Sequence, residues 1–292
     1  MSTAADRPPV VVGIDGSETA LGGVRWAGDY AARHGLPLAL IHAIPKLDWH
    51  FADVEAPAGL ATGTGDAALA AAAEALRSAH SDLEIRVVTV KGSVASVLAH
   101  ASQSARLVVV GTGAGGHRAL GGHAVRIAHR AACPVVIWRP PVARKAGETL
   151  PIVVGVDESE ASARTLAEAL DIARMLHAPV SVVHMWDIGA AVGMGDLGGQ
   201  GNMDWPLLEL LQSQQRQRMD ELITKASGDH PNNHVAKVFQ DVSPARGLTE
   251  LSREAQLVVV GSHGRGKLAD SLLGSVSQTL IHHAECPVLV VR

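Results

Sequence analysis

The chain alternates short, unbroken apolar runs with longer segments in which apolar residues return every three or four positions. Val10 to Asp15 and Ile152 to Asp157 carry no polar side chain before their closing aspartate, as expected of strands covered on both faces. Each run leads into helical spacing, through Leu21, Val24, Trp26 and Ala31 or through Leu166, Leu170, Ile172 and Met175. Ser17 and Ser159 stand at the predicted N-caps. Gly35-Leu36-Pro37 and His177-Ala178-Pro179 end these helices, because the residue before a proline is pushed out of helical geometry.

The same reading predicts second strands over Leu38 to Ala43 and Val180 to Met185, and third strands over Glu84 to Val90 and Val235 to Gln240. Between them lie long loops, Ile44 to Gly65 and Trp186 to Trp205, then helices near Asp66 to Ala79 and Pro206 to Ala226. Ser93 and Ser243 begin further helices. Strands follow at Leu107 to Gly111 and Leu257 to Gly261, then a glycine-bearing loop, a helix, and last strands at Pro134 to Trp138 and Pro287 to Val291. The order βαβ-loop-αβαβαβ occurs twice. Strands alternating with helices imply parallel pairing and right-handed crossovers. The expected fold is therefore α/β, as two tandem doubly wound (Rossmann-like) domains with parallel five-stranded sheets and ligands at the carboxyl ends of the strands.

The repeat extends to residue identity. Val10-Val11-Val12-Gly13-Ile14-Asp15 returns as Ile152-Val153-Val154-Gly155-Val156-Asp157, Leu107 to Gly111 as Leu257 to Gly261, and Cys133-Pro134-Val135 as Cys286-Pro287-Val288. Core packing accepts many apolar substitutions, so glycine and aspartate shared at strand ends point to a backbone arranged to receive something. Residues 1–141 form the first expected domain and 151–292 the second, with the Pro/Arg/Lys-bearing stretch 142–150 as linker. The last strand of each copy is an edge that invites pairing between the copies, or a homodimer.

Composition narrows the function. The 292 residues are 47% hydrophobic, 18% charged and 3% aromatic, with a formal charge of −4. A phosphate backbone demands a concentrated basic face, and no Lys/Arg run supplies one, so nucleic acid is not the expected partner. No apolar stretch is long enough to span a bilayer, which leaves a cytoplasmic protein without membrane association as the expectation. Cys133 and Cys286 fall in separate copies before a terminal strand and are read as buried, inert thiols. The histidines show no zinc-type spacing.

The loop after the fourth strand of the second copy reads Gly261-Ser262-His263-Gly264-Arg265, continuing to Gly274-Ser275-Val276, that is G-x2-G-x9-G-S. Glycines there let backbone N–H groups approach anionic oxygens, and a helix opening at Gly274-Ser275 adds its unpaired N–H groups and dipole. Two neighbouring motifs do not carry chemistry. Gly111 to Gly116 satisfies G-x-G-x-x-G but follows the fourth strand, not the first. Gly261 to Lys267 approximates a P-loop, yet Leu268 stands where a hydroxyl must reach magnesium.

On these residues, with His184-Met185 closing the second strand, the chain resembles the universal stress protein family in its tandem form, over nearly its whole length. The resemblance implies an adenine nucleotide ligand: ATP, alone or with magnesium. It places Asp157 beside the nucleotide, Met185 at the adenine, and Gly261, Gly264, Gly274, Ser275 and Val276 at the phosphates, while Arg265 is a loop cation within reach of them. In the first copy 21 residues separate Gly111 from Cys133, against 24 between Gly261 and Cys286, and Gly121-Gly122 replaces Gly274-Ser275. Asp15, Ala43, Gly111, Gly121 and Gly122 are accordingly weaker candidates, with altered or absent binding there. The functional expectation is a nucleotide-dependent regulator or sensor in stress adaptation, acting on a protein partner the sequence does not name. No positioned base or arginine finger suggests more than slow hydrolysis. Two alternatives stand beside it, an adenine-nucleotide α/β enzyme with slow ATP hydrolysis or adenylation activity and a nucleotide-free scaffold.

Overall fold

The computed structural model describes residues 7–15, 17–44, 58–112, 122–140, 148–157, 159–186, 205–227, 234–264 and 273–292. The first half runs β1 (Val10–Ile14), α1 (Glu18–His34), β2 (Leu38–Ile44), α2 (Ala58–Ala79), β3 (Ile85–Lys91), α3 (Val94–Ala101), β4 (Leu107–Gly111), α4 (His123–Arg130) and β5 (Val135–Trp138). The second runs β6 (Ile152–Gly155), α5 (Ala161–Leu176), β7 (Val180–Met185), α6 (Trp205–Ser227), β8 (Val235–Gln240), α7 (Pro244–Leu251), a short 3-10 turn (Ser252–Glu254), β9 (Leu257–Gly261), α8 (Ser275–His283) and β10 (Val288–Val291). Within each half every strand pairing is parallel, and strand order reverses direction beside the first strand.

The two five-stranded sheets are one sheet of ten, in the order β3-β2-β1-β4-β5-β10-β9-β6-β7-β8. The junction is antiparallel and sets Val136 opposite Leu289, its own repeat equivalent. A pseudo-twofold axis therefore passes through that pair, as in an isologous dimer interface folded into one chain. Each edge strand supplies the ladder partner that the other lacks.

Two apolar layers cover the sheet, and both run across the junction. One packs Tyr30, Leu76, Leu166 and Met219 of α1, α2, α5 and α6. The other packs Leu98, Ile127, Leu248 and Leu280 of α3, α4, α7 and α8. Polar ties join the halves as well: Arg106 reaches Glu168 at 2.6 Å, and His34 Nε2 lies 3.2 Å from Asp171.

The element boundaries depart from the sequence reading in instructive places. α2 starts at Ala58 rather than near Asp66, so the glycines at 59, 63 and 65 lie inside a helix. Each costs about 1 kcal/mol relative to alanine, and the surrounding alanine-rich run tolerates it. Ser17 and Ser93 cap α1 and α3 by accepting from the N–H groups of Ala20 and Ser96. Ser159 does not cap α5, which begins two residues later behind Glu160, and its hydroxyl has another use. The expected linker 142–150 lies largely outside the described residues, as do most of the two long loops.

Candidate functional site

β6 ends in Gly155, and the chain leaves the sheet through Val156 and Asp157 before α5 begins. Asp157 Oδ1 accepts from the Ser159 N–H (2.9 Å) and hydroxyl (2.5 Å) and from the Ser162 hydroxyl (2.9 Å), while Asp157 N–H donates back to Ser162 Oγ at 2.9 Å. The carboxylate is thus oriented by three donors, and its other oxygen turns toward Gly264. A methyl group at Gly264 would stand 2.7 Å from Oδ2.

Across the crevice, β9 ends in Gly261, and Ser262 O receives the N–H of Gly274 at 2.8 Å and the Ser277 hydroxyl at 3.3 Å. These bonds pin the start of α8 against the end of β9. The N–H groups of Ser275, Val276 and Ser277 occupy the first turn, where an α-helix has no carbonyl four residues back to satisfy them, and the positive end of the helix dipole lies there. Among the described residues, positive backbone φ occurs at Gly35, Gly92 and His177. The glycines of the G-x2-G-x9-G-S motif therefore matter for their lack of a side chain rather than for left-handed geometry.

Between these walls lies a cavity of about 630 Å³, within the usual size for small-molecule sites. It is lined by Asp157, Met185, Gly261, Gly264, Gly274, Ser275 and Val276; every described site residue assigned to the second half faces one space. Arg265 lies outside the described residues. The apolar end is made by Val183, Met185, Pro244 and Leu248, and Gly247 leaves room for the Met185 thioether, which would lie 2.4 Å from a methyl group there. Sequence reasoning missed Ser162, Thr165, Ser277 and His263. The first two had a legible signal, since the repeat puts Ala20 and Gly23 at their places. Trp186, at the start of the second long loop, also lines the cavity.

The first half is built differently at the corresponding positions. Asp15 is exposed and accepts from the Ser17 N–H at 2.9 Å, with Ala20 in place of the second hydroxyl. A methyl group at Gly111 would lie 3.1 Å from the backbone of Ala20, whereas one at Gly261 would meet His263 O at 3.0 Å and Thr165 Oγ1 at 3.5 Å. The Trp138 ring packs on Gly22 and Gly23, 2.6 Å and 3.2 Å from where methyl groups would stand. Gly122 precedes α4 with open space around it, Ala43 lies near the end of β2 beside Val90, and Gly121 lies outside the described residues.

Cys133 and Cys286 are buried and unbonded to each other. Burial pushes their thiols up to about 11 and about 12, which makes them poor nucleophiles. Among the described residues no three His, Cys, Asp or Glu side chains gather as a metal site, and no helix is long and apolar enough to cross a membrane.

Fold and crevice together define a tandem doubly wound α/β protein whose second half carries a cavity at the carboxyl ends of its strands. The sequence pattern of the universal stress protein family matches residues 7–139 and again 149–292, and the chain belongs to that family. It is 32% identical over 302 residues to a universal stress protein of Mycolicibacterium smegmatis and 32% identical over 309 residues to one of Mycobacterium tuberculosis, with 100% of this chain and 99% of each relative covered. A universal stress protein from Archaeoglobus fulgidus shares the fold with TM-score 0.62 at 17% identity, covering 97% of this chain and 96% of that one. A Pseudomonas aeruginosa protein described as functionally unknown does so with TM-score 0.66 at 15% identity, covering 100% and 94%.

Proposed function

We propose that this universal stress protein binds one adenine nucleotide, ATP, in the second-half cavity and acts as a cytoplasmic nucleotide-dependent regulator or sensor in stress adaptation. The observation that carries the reading is the convergence of Asp157, Met185, Gly264, Gly274 and Ser275 on one cavity of about 630 Å³. Its apolar end suits a purine base. The first turn of α8, with glycines that let a ligand approach the backbone, suits phosphate. Asp157 lies between them, where an acceptor meets ribose hydroxyls. The bound nucleotide would bring its own magnesium on its phosphates.

A regulator fits better than a fast enzyme because the sequence offers no positioned general base and no arginine finger over a magnesium site. Calorimetric titration of nucleotide-stripped protein with ATP tests the proposal. A saturable heat in the micromolar range supports it; a folded protein that takes up no ATP would overturn it and leave the scaffold alternative.

A further inference from the structure

The two halves use the same Asp-x-Ser opening differently. In the first, Ser17 Oγ accepts from Ala20 N–H at 3.1 Å and serves the helix, and Asp15 is left exposed. In the second, Ser159 and Ser162 both turn their hydroxyls to Asp157, and Ser162 Oγ accepts the Asp157 N–H while donating to its carboxylate. Ser162 is buried in the cavity wall. This reciprocal pair closes a small ring that fixes the Asp157 backbone and its carboxylate together, and so determines which oxygen faces Gly264 and the cavity.

We propose that Ser162 is a positioning residue that makes the second half selective for a ribonucleotide, by holding Asp157 as a preorganised acceptor for the sugar hydroxyls. The inference rests on the nucleotide reading above. A ligand hydroxyl gains from the carboxylate only if the carboxylate need not reorient as it binds, and hydrogen bonds to an ionised acceptor are about twice as strong as neutral ones. Without Ser162, Oδ1 keeps the Ser159 donors but loses the link that ties the side chain to its own backbone. The first half, with Ala20 at this position, shows the unlocked arrangement.

The test compares ATP with 2′,3′-dideoxy-ATP on the full chain, for the unaltered protein, Ser162→Ala and Ser162→Thr, with thermal melting as a check on folding. The unaltered protein should prefer ATP by about tenfold or more, the selectivity expected of one charge-assisted hydrogen bond. Ser162→Ala should lose most of that preference by weakening ATP while leaving the dideoxy affinity in place, and Ser162→Thr, which keeps the hydroxyl, should restore it. Equal weakening of both nucleotides in Ser162→Ala would overturn the positioning role, as would retention of the full preference. If Ser162→Ala does not fold, the preference of Ser162→Thr decides, and its loss overturns the proposal. Failure of the unaltered protein to bind either nucleotide would instead sink the parent reading, whereas binding of both with equal affinity refutes this inference alone.

Discussion

Arg139 and Arg292 occupy equivalent places after the last strand of each repeat, and each holds a helix of the other half. Arg139 donates to the carbonyls of Ile281 and Ala284 at the end of α8, and Arg292 donates to those of Ala128 and His129 at the end of α4. The last carbonyls of a helix have no partner within it, and a cation there also meets the negative end of the dipole. The exchange is symmetric about the Val136–Leu289 pair, so the joint between halves is secured twice by the same device.

Arg139 is 2% exposed, and truncating it strands two buried carbonyls. Arg139→Met should destabilise the chain by about 2–4 kcal/mol, and Arg292→Met, at a half-buried position, by less. Urea denaturation of the two variants measures both; equal, negligible shifts would show that water replaces the guanidinium without cost.

Gly264→Ala should cut nucleotide affinity at least tenfold while changing stability by under about 1 kcal/mol, since the position is exposed. The new methyl group meets Asp157 Oδ2 at 2.7 Å, and the carboxylate cannot retreat without breaking its bonds to Ser159 and Ser162. Paired titration and melting curves check this.

Gly274→Asp tests the cradle separately. Gly274 has φ −62° and ψ 155°, open to any residue, and the nearest atom to an added methyl is Ser262 O at 3.4 Å. The variant should fold normally and bind no ATP, because a carboxylate would face the phosphates at short range. Undiminished affinity in the folded variant would remove the phosphates from α8.

Calorimetry should return about one ATP per chain. The first half has Ala20 where the second has Ser162, and Trp138 packs on Gly22 and Gly23 of α1, so the single nucleotide is expected in the second half. A stoichiometry of two would show that the shortened loop around Gly122 accepts phosphate after all.

Stability should fall in alkali through the two thiols. Burial raises the Cys133 thiol to about 11 and the Cys286 thiol to about 12, well above the ordinary cysteine range. The folded state holds these protons more tightly than the unfolded one. The stability so conferred is complete below the unfolded pKa and is lost as pH climbs through 11 to 12. Denaturation midpoints measured across this range should decline, and Cys286→Ala should show a shallower decline. Fast alkylation of the native thiols near neutral pH would contradict their burial.

What the sequence determined by itself was everything that depends on local period and residue type. Val-rich runs mark β1, β4, β6 and β9, helical spacing marks the segments between them, and the internal repeat marks two copies of one unit. Asp157, Gly261, Gly264, Gly274 and Ser275 were legible because a repeat shared at strand ends, together with the spacing of the second loop, singles them out, whereas Met185 and Val276 were indicated only by the resemblance to the universal stress protein family. Tertiary structure decided what lies between residues far apart in the chain. That β5 and β10 pair antiparallel, that Arg139 crosses to a carbonyl 145 residues away, and that Gly264 rests on Asp157 depend on which surfaces meet, and hydrophobic periodicity says only that a face is buried, not against what. The choice at Ser159, to cap a helix or to orient a carboxylate, was likewise open in the sequence, since both uses employ the same hydroxyl. A second hydroxyl one helical turn away, on Ser162, decided it.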